Sequence, residues 1–282
     1  MGRFRFGPLG RLMVVDTPED GFSNDPVEIG VIRQAMDGTR TKDVTGHKQE
    51  FKISMEGLDA RALSWFEMAF RGALGPELYM LDEERVNRMN AAASSARSAW
   101  AATDPFVSTS GVETLQASTE LLLPGVMDGA AVETPGPAGA WKWVTAIGAT
   151  CQVGDIIPVQ LGEHLVFSAY VLDAGTPGLE WTPFAADLTQ LPQAGATTVI
   201  AGTPPRRYTT YVVPAGVAAV RPLLRHPGAQ TSVITALQVE QGDTPSPWVL
   251  GIGTPRVMIE KLPLERRKLG RYMNATIDLL EV

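Results

Sequence analysis

The 282-residue sequence has a single cysteine, Cys151, and only three histidines, His47, His164 and His226. One thiol cannot form an intrachain disulfide, and no cysteine-based zinc site can be assembled within one chain. No two of the histidines share ligand spacing, so metal or nucleophile chemistry starts from a poor inventory. Cys151 has no basic neighbour in sequence and reads as a small, partly buried residue. Long apolar runs are also missing, which predicts no membrane-spanning segment. The N-terminus carries Arg3, Arg5 and Arg11 with no apolar stretch behind them, which predicts cytoplasmic synthesis without a secretory leader. Phosphate-loop, HExxH and GxSxG motifs are absent, and Gly251-Ile-Gly253 runs into Thr-Pro-Arg, which breaks a dinucleotide fingerprint. The adjacent acids Asp82, Glu83 and Glu84 read as a solvated turn rather than as a glycosidase pair. The sequence therefore predicts no catalytic, cofactor-binding or metal site.

Basic residues are scarce in one region only. Residues 99–250 contain five (Lys142, Arg206, Arg207, Arg221, Arg225) against twelve acids, whereas the other 130 residues balance nineteen of each sign. All of the net charge of −7 thus lies in the middle. Small polar residues at Asn90-Ala-Ala-Ala-Ser-Ser-Ala and the Thr244-Pro-Ser-Pro and Gly251-Ile-Gly-Thr-Pro runs read as linkers at its two ends. The basic run Arg266-Arg-Lys268 lies in a region of zero net charge with no basic stripe, so it predicts a loop or subunit contact and no sequence-specific nucleic-acid binding.

The flanks read as strands with one helix. Arg3–Phe6 and Arg11–Val15 surround Gly7-Pro-Leu-Gly10 as a hairpin. Phe51, Ile53 and Met55 alternate with Lys52, Ser54 and Glu56, as do Met273, Ala275, Ile277 and Leu279 with Asn274, Thr276 and Asp278, the period of half-buried strands. Asp59 is a suitable N-cap for a helix running to about Ala73, with Ala62, Trp65, Phe66, Ala69, Phe70 and Ala73 on its apolar face. The terminal strands need a sheet to join, and the nearest begins at the N-terminal hairpin. The expected fold is therefore mainly β: one discontinuous domain, 1–98 and 251–282, interrupted by 99–250. In the middle, His164–Val171, Tyr208–Val213, Val217–Leu224 and Ser232–Glu240 are strand-like and separated by Gly and Pro turns, which predicts an inserted β-sandwich of jelly-roll type.

Phe6-Gly-Pro-Leu-Gly10, a Gly46-His-Lys48 turn before Phe51, the capped helix, Leu74-Gly-Pro76, Leu81-Asp82 and Asn87-Arg88 resemble minor tail proteins of siphophages infecting actinobacteria, in particular distal tail proteins. Gly251–Val257 and Ile277–Val282 look like the closing strands of the same domain. Ala236-Leu-Gln-Val-Glu240, Gly242, Thr244, Trp248 and Glu163–Tyr170 resemble strands of carbohydrate-binding-module-like jelly rolls. The resemblance implies a tail-tube-like flank domain and a structural virion role: a ring, hexameric first and trimeric second, between tail tube and tail tip. It implies the tail tube, tape measure and tail hub proteins as partners, and an outward jelly roll that contacts host surface glycans.

Aromatics able to stack on a sugar ring are Trp141, Trp143, Tyr170, Trp181, Phe184, Tyr208 and Tyr211. Trp181 leads, because Pro177-Gly-Leu-Glu-Trp-Thr-Pro183 reads as a loop. Trp141 and Trp143 would share one face of a strand, and Tyr208 completes the candidate glycan-binding set. Trp248 reads as core or linker packing. An acidic insert gains no long-range attraction to an anionic envelope, so neutral sugars are the expected glycans. The competing readings are a stand-alone carbohydrate-binding module, which would not need the flanking domain, and a glycan-degrading tail enzyme.

Overall fold

A computed structural model describes residues 3–16, 22–34, 40–83, 86–90, 93–94, 106–110, 113–118, 140–145, 150–172, 178–194, 197–200, 206–225, 231–251, 253–266 and 273–282. It divides into two compact units, Met1–Glu84 with Pro255–Val282, and Arg85–Thr254.

Among the described residues, the first unit is an eight-stranded sheet with one helix. Its strands are β1 (Arg3–Gly7), β2 (Met13–Asp16), β3 (Phe22–Gln34), β4 (Arg40–Leu58), β5 (Leu78–Asp82), β17 (Arg256–Lys261), β18 (Leu264–Arg266) and β19 (Met273–Glu281), in the order β2-β1-β5-β17-β19-β4-β3 with β18 beside β19. The hairpin forms where the glycines predict it, with Phe6 opposite Met13. β19 lies between β17 and β4, with Ile277 opposite Ile53. Alternation works as expected: Phe51, Ile53, Met55, Ala275, Ile277 and Leu279 are buried, while Lys52, Ser54 and Glu56 are exposed. Helix α1 (Ala60–Phe70) supplies Phe66 and Ala69 to that apolar face. Asp59 caps it, accepting a 2.7 Å bond from the Ala62 N–H. The helix ends three residues earlier than the sequence predicts, because Gly72 adopts φ 73° and turns the chain; Phe70 and Ala73 consequently face outward, Phe70 at 51% exposure.

Gly46-His-Lys48 is not a turn but part of β4, which pairs with β3 from Ile53–Phe22 to Arg40–Gln34. The register shifts between Ile29 and Gly30, so the glycine marks a bulge rather than a chain reversal. The side chain of His47 lies outside the described residues.

The described residues of the second unit form two sheets. One contains β6 (Phe106–Ser110), β9 (Thr150–Val153), β10 (Ile157–Pro158), β12 (Gly178–Phe184) and β15 (Ala219–Arg225). β12 pairs along the whole of β15, and β9 and β10 share the other edge of β15. Pro222, which has no N–H to donate, falls where that partner changes from β10 to β9. The other sheet runs β13 (Thr197–Ile200), β14 (Arg206–Val212), β11 (His164–Leu172), β16 (Thr231–Gln241), β8 (Ala140–Thr145), β7 (Glu113–Ser118). Val153, Ile157, Leu165, Phe167, Trp181 and Leu237 are among the residues that build one core from both sheets.

Among the described residues of the segments expected to be linkers, Ala93, Ser94, Gly251 and Thr254 are instead buried parts of this unit. Asn87, fully packed, places Nδ2 within 2.7–3.1 Å of Ser94 Oγ, Leu237 O and Val249 O, while its Oδ1 accepts from the N–H groups of Met89 and Val239. Ser94 Oγ also accepts from Gly251 N–H, and Met89 O accepts from Gly253 N–H. A Cβ on Gly251 would stand 2.0 Å from Met89 O, so the backbone approach itself demands glycine. Entry and exit of the insert are knit together, and the contact boundary falls at Glu84/Arg85, fourteen residues before the charge boundary.

Candidate functional site

The face of β11, β14 and β16 turned away from the core carries Ser168, Tyr170, Arg206, Tyr208, Gln238 and Glu240, placed side by side by the pairings Ser168–Tyr208, Tyr170–Arg206 and Ser168–Gln238. A sheet face with this inventory could hold a polar ligand. Here the chain fills it. Glu240 accepts from Ser246 N–H at 2.9 Å, from Ser246 Oγ at 2.5 Å and from Gln238 Nε2 at 2.7 Å. Gln238 Oε1 accepts from Val249 N–H. Arg206 donates to Ser168 Oγ and Ser246 O, and its guanidinium lies 5.3 Å from the Tyr170 ring centre. Burial pushes the Arg206 pKa down, opposed by Tyr170 and Glu240. The carboxylate and the arginine are engaged by Ser246–Val249, so a sugar laid on this part of the face would have to displace the protein's own backbone.

This covering explains a feature of the sequence. His164–Val171 is apolar or small at nearly every position because one face meets the core and the other meets a polar layer roofed by the chain.

The predicted sugar-stacking residues scatter. Trp181 is a correction: residues 178–184 form β12 rather than a loop, and Trp181 is 0% exposed, packed edge-on to Phe167 at 5.8 Å and stacked on Tyr211 at 6.1 Å. A ring with no free face cannot be a platform. Phe184 is buried as well, and Tyr170 is half-buried against Arg206. Trp141 and Trp143 occupy β8 opposite Ile234 and Ser232, and their side chains lie outside the described residues. Tyr208 keeps a half-exposed position opposite Ser168. Trp248 is core, donating from Nε1 to Leu237 O.

The remaining titratable candidates do not converge. Glu83 pairs with Arg5 at 2.5 Å, and Glu84 and His226 lie outside the described residues. His164 meets Asp243 at 2.6 Å, both side chains exposed, at the start of β11. The side chain of Cys151, on β9, lies outside the described residues. Among the described residues no three His, Cys, Asp or Glu side chains are grouped as metal ligands, and no helix is long and apolar enough to cross a membrane.

Sequence reasoning missed a buried ion pair, Arg88–Glu163, with 2.7 Å between charged atoms and side chains 3% and 2% exposed. Arg88 follows Asn87 in the entry segment, and its backbone N–H donates to Val239 O. Two consecutive polar residues between Val86 and Met89 were the available signal.

No family model matches the chain, and no curated protein matches it. Solved structures that resemble it include the enzymatically active domain of a bacteriophage CBA120 tailspike protein, at 8% identity and a TM-score of 0.38, covering 49% of this chain and 19% of that one. A xylan-binding domain from Paenibacillus barcinonensis is similar at 10% identity and a TM-score of 0.32, covering 51% and 89%. A carbohydrate-binding module of the β-sandwich superfamily is similar at 10% identity and a TM-score of 0.34, covering 84% and 96%. At these scores the likeness assigns no function, and the chain is mainly β by its own strands.

Proposed function

We propose that this chain is a structural virion protein of a long-tailed bacteriophage, forming a ring at the distal end of the tail tube. The observation that supports this reading is the place of β19: the last strand of the chain enters the sheet begun by the first, between β17 and β4. A 170-residue insert is thereby carried on a domain closed at both ends, the arrangement that the resemblance to distal tail proteins implies. β2 and β3 form the edges of that sheet, and β3 is thirteen residues long. Such an edge needs protection, which cyclic neighbours supply; a hexamer is the first expectation and a trimer the second. Tail tube, tape measure and hub proteins are the partners, and the virion tail, assembled in the host cytoplasm, is the location.

Within this reading the insert is a spacer or a contact to a neighbouring tail protein. Trp181 is internal and Ser246–Val249 fills the polar sheet face, so host glycans retain Tyr208 as a described aromatic contact. A stand-alone carbohydrate-binding module leaves the interrupted domain without a task. Antibody against the chain, imaged by negative stain on intact particles, should decorate the junction of tube and tip. Decoration elsewhere, or none on purified virions, would refute the proposal.

A further inference from the structure

The β3–β4 hairpin outruns the sheet that carries it. β19 pairs with β4 from Leu58 to Glu50, and the next β4 residue, Gln49, gives its N–H to the Glu281 side chain at 2.9 Å. β3 continues along β4 to the Gln34–Arg40 pair. Residues 27–34 of β3 and 40–48 of β4 therefore form a two-stranded ribbon, and among the described residues no strand pairs with the other edge of β3. Two strands alone are marginally stable in water. An open edge thirteen residues long also presents unpaired N–H and C=O groups to any extended chain.

The directions of the edge strands decide what fits there. Seven strands lie on the path from β2 to β3 and every pairing is antiparallel, so β2 and β3 run the same way. A neighbour continuing the sheet head to tail would lay β2 parallel to β3, the weaker kind of pairing, and match four residues against thirteen. A second copy turned about a two-fold axis perpendicular to the sheet lays β3 against β3, antiparallel and equal in length. That symmetry keeps each face of the sheet on its own side, so residues of like parity stand opposite each other. With the axis at Ile29, Asp25 stands opposite Arg33 of the second copy at both ends, Val27 opposite Val31, and Ile29 opposite itself. An axis at Glu28 would set two glutamates face to face, and one at Gly30 would set Arg33 opposite Val27. Within its own chain Asp25 is exposed and stands opposite another acid, Glu50, an unfavourable juxtaposition that an arginine on the open side relieves. Pro26 removes a single donor from the edge, opposite Ile32.

We propose that β3 is a self-complementary edge through which two free chains form a two-fold dimer, joined as a four-stranded β4-β3-β3-β4 ribbon centred on Ile29. The proposal does not rest on the tail-ring reading; a ring joined through the same edge would have to displace the second copy.

The test follows the full chain by light scattering and sedimentation over a range of concentrations. A reversible monomer–dimer equilibrium is expected. Arg33→Asp should weaken it about tenfold by setting acid against acid at both ends, and adding Asp25→Arg to that variant should restore it. Cysteines read the register. In a Cys151→Ser background, Ile29→Cys should cross-link into a dimer on mild oxidation, because a residue on the axis meets itself within disulfide reach, and Val31→Cys should not. A chain monomeric at every concentration overturns the proposal, as do a dimer indifferent to Arg33→Asp, a charge-reversed double variant no tighter than Arg33→Asp alone, and equal cross-linking at both cysteine positions. A trimer or hexamer that assembles without a dimer also overturns it and leaves the ring reading standing, so the two fail separately. Should Arg33→Asp fail to fold, the two cysteine variants decide.

Discussion

The interrupted domain wets one face of its sheet, whereas the insert buries both faces of its central strand. Along β4 and β19 buried and more exposed residues alternate; along β11 nearly every residue from Leu165 to Val171 is buried. The first arrangement needs one helix to cover one face. The second needs a partner sheet on one side and a roof of chain on the other, and the roof brings hydrogen-bonding demands that Glu240, Gln238, Arg206 and Ser246 meet in large part among themselves, Arg206 Nε remaining without a partner. Local pattern organises the first unit, while polar contacts remote in sequence close the second. Substitutions should therefore separate the two units by their mechanism of loss.

The largest single effect is expected at Trp181. Trp181→Ala empties a site between Phe167 and Tyr211 and should destabilise the insert by about 3–5 kcal/mol, read as a lowered denaturant midpoint for that unit with the other unit's transition unmoved. Loss of host adsorption with normal stability would contradict its assignment to the core. Next is the Arg88–Glu163 pair. Either Arg88→Met or Glu163→Gln should cost about 3 kcal/mol by stranding the other buried group. The double variant Arg88→Met/Glu163→Leu should cost far less than the two together. Additive losses would show that the pair is not coupled.

In the interrupted domain, Asp59→Ala removes the Ala62 N–H acceptor and should cost about 1 kcal/mol in that unit alone. The smallest effect concerns pH. Burial raises the Tyr211 pKa above the ordinary tyrosine value, so the folded insert disfavours tyrosinate. That contribution is fully present below the unfolded value and is lost as pH rises through the folded one. Tyr211→Phe should therefore flatten the loss of insert stability above pH 10 and leave it unchanged at pH 7. An unaltered alkaline slope would place the titration elsewhere.

Much of the first unit was legible because its signals are local. Alternation at Phe51–Met55 and Met273–Leu279, the Gly7–Gly10 turn and the Asp59 cap each act within a few residues. Gly46 misled because a bulge and a turn use the same residue. In the insert the strands were legible and their surroundings were not. Pro177 and Pro183 look like loop punctuation, yet Pro183 sits within β12, where a β15 partner and burial outweigh the local signal. Gly251 is required by Met89 O, 162 positions away in sequence, and Asn87 is held by carbonyls of Leu237 and Val249. No local pattern encodes such contacts, so the small polar segment around Asn90 read as a linker.

The account's central claim is that a β domain is interrupted by a self-contained insert closed through Asn87, Ser94 and Gly251. Two fragments of the insert, residues 85–254 and residues 99–250, differ in whether they carry that closure. The longer should be soluble and unfold cooperatively. The shorter, lacking Asn87, Arg88, Met89 and Ser94, should show no cooperative transition. Equal cooperative unfolding of both fragments in a urea titration followed by tryptophan fluorescence would contradict the claim.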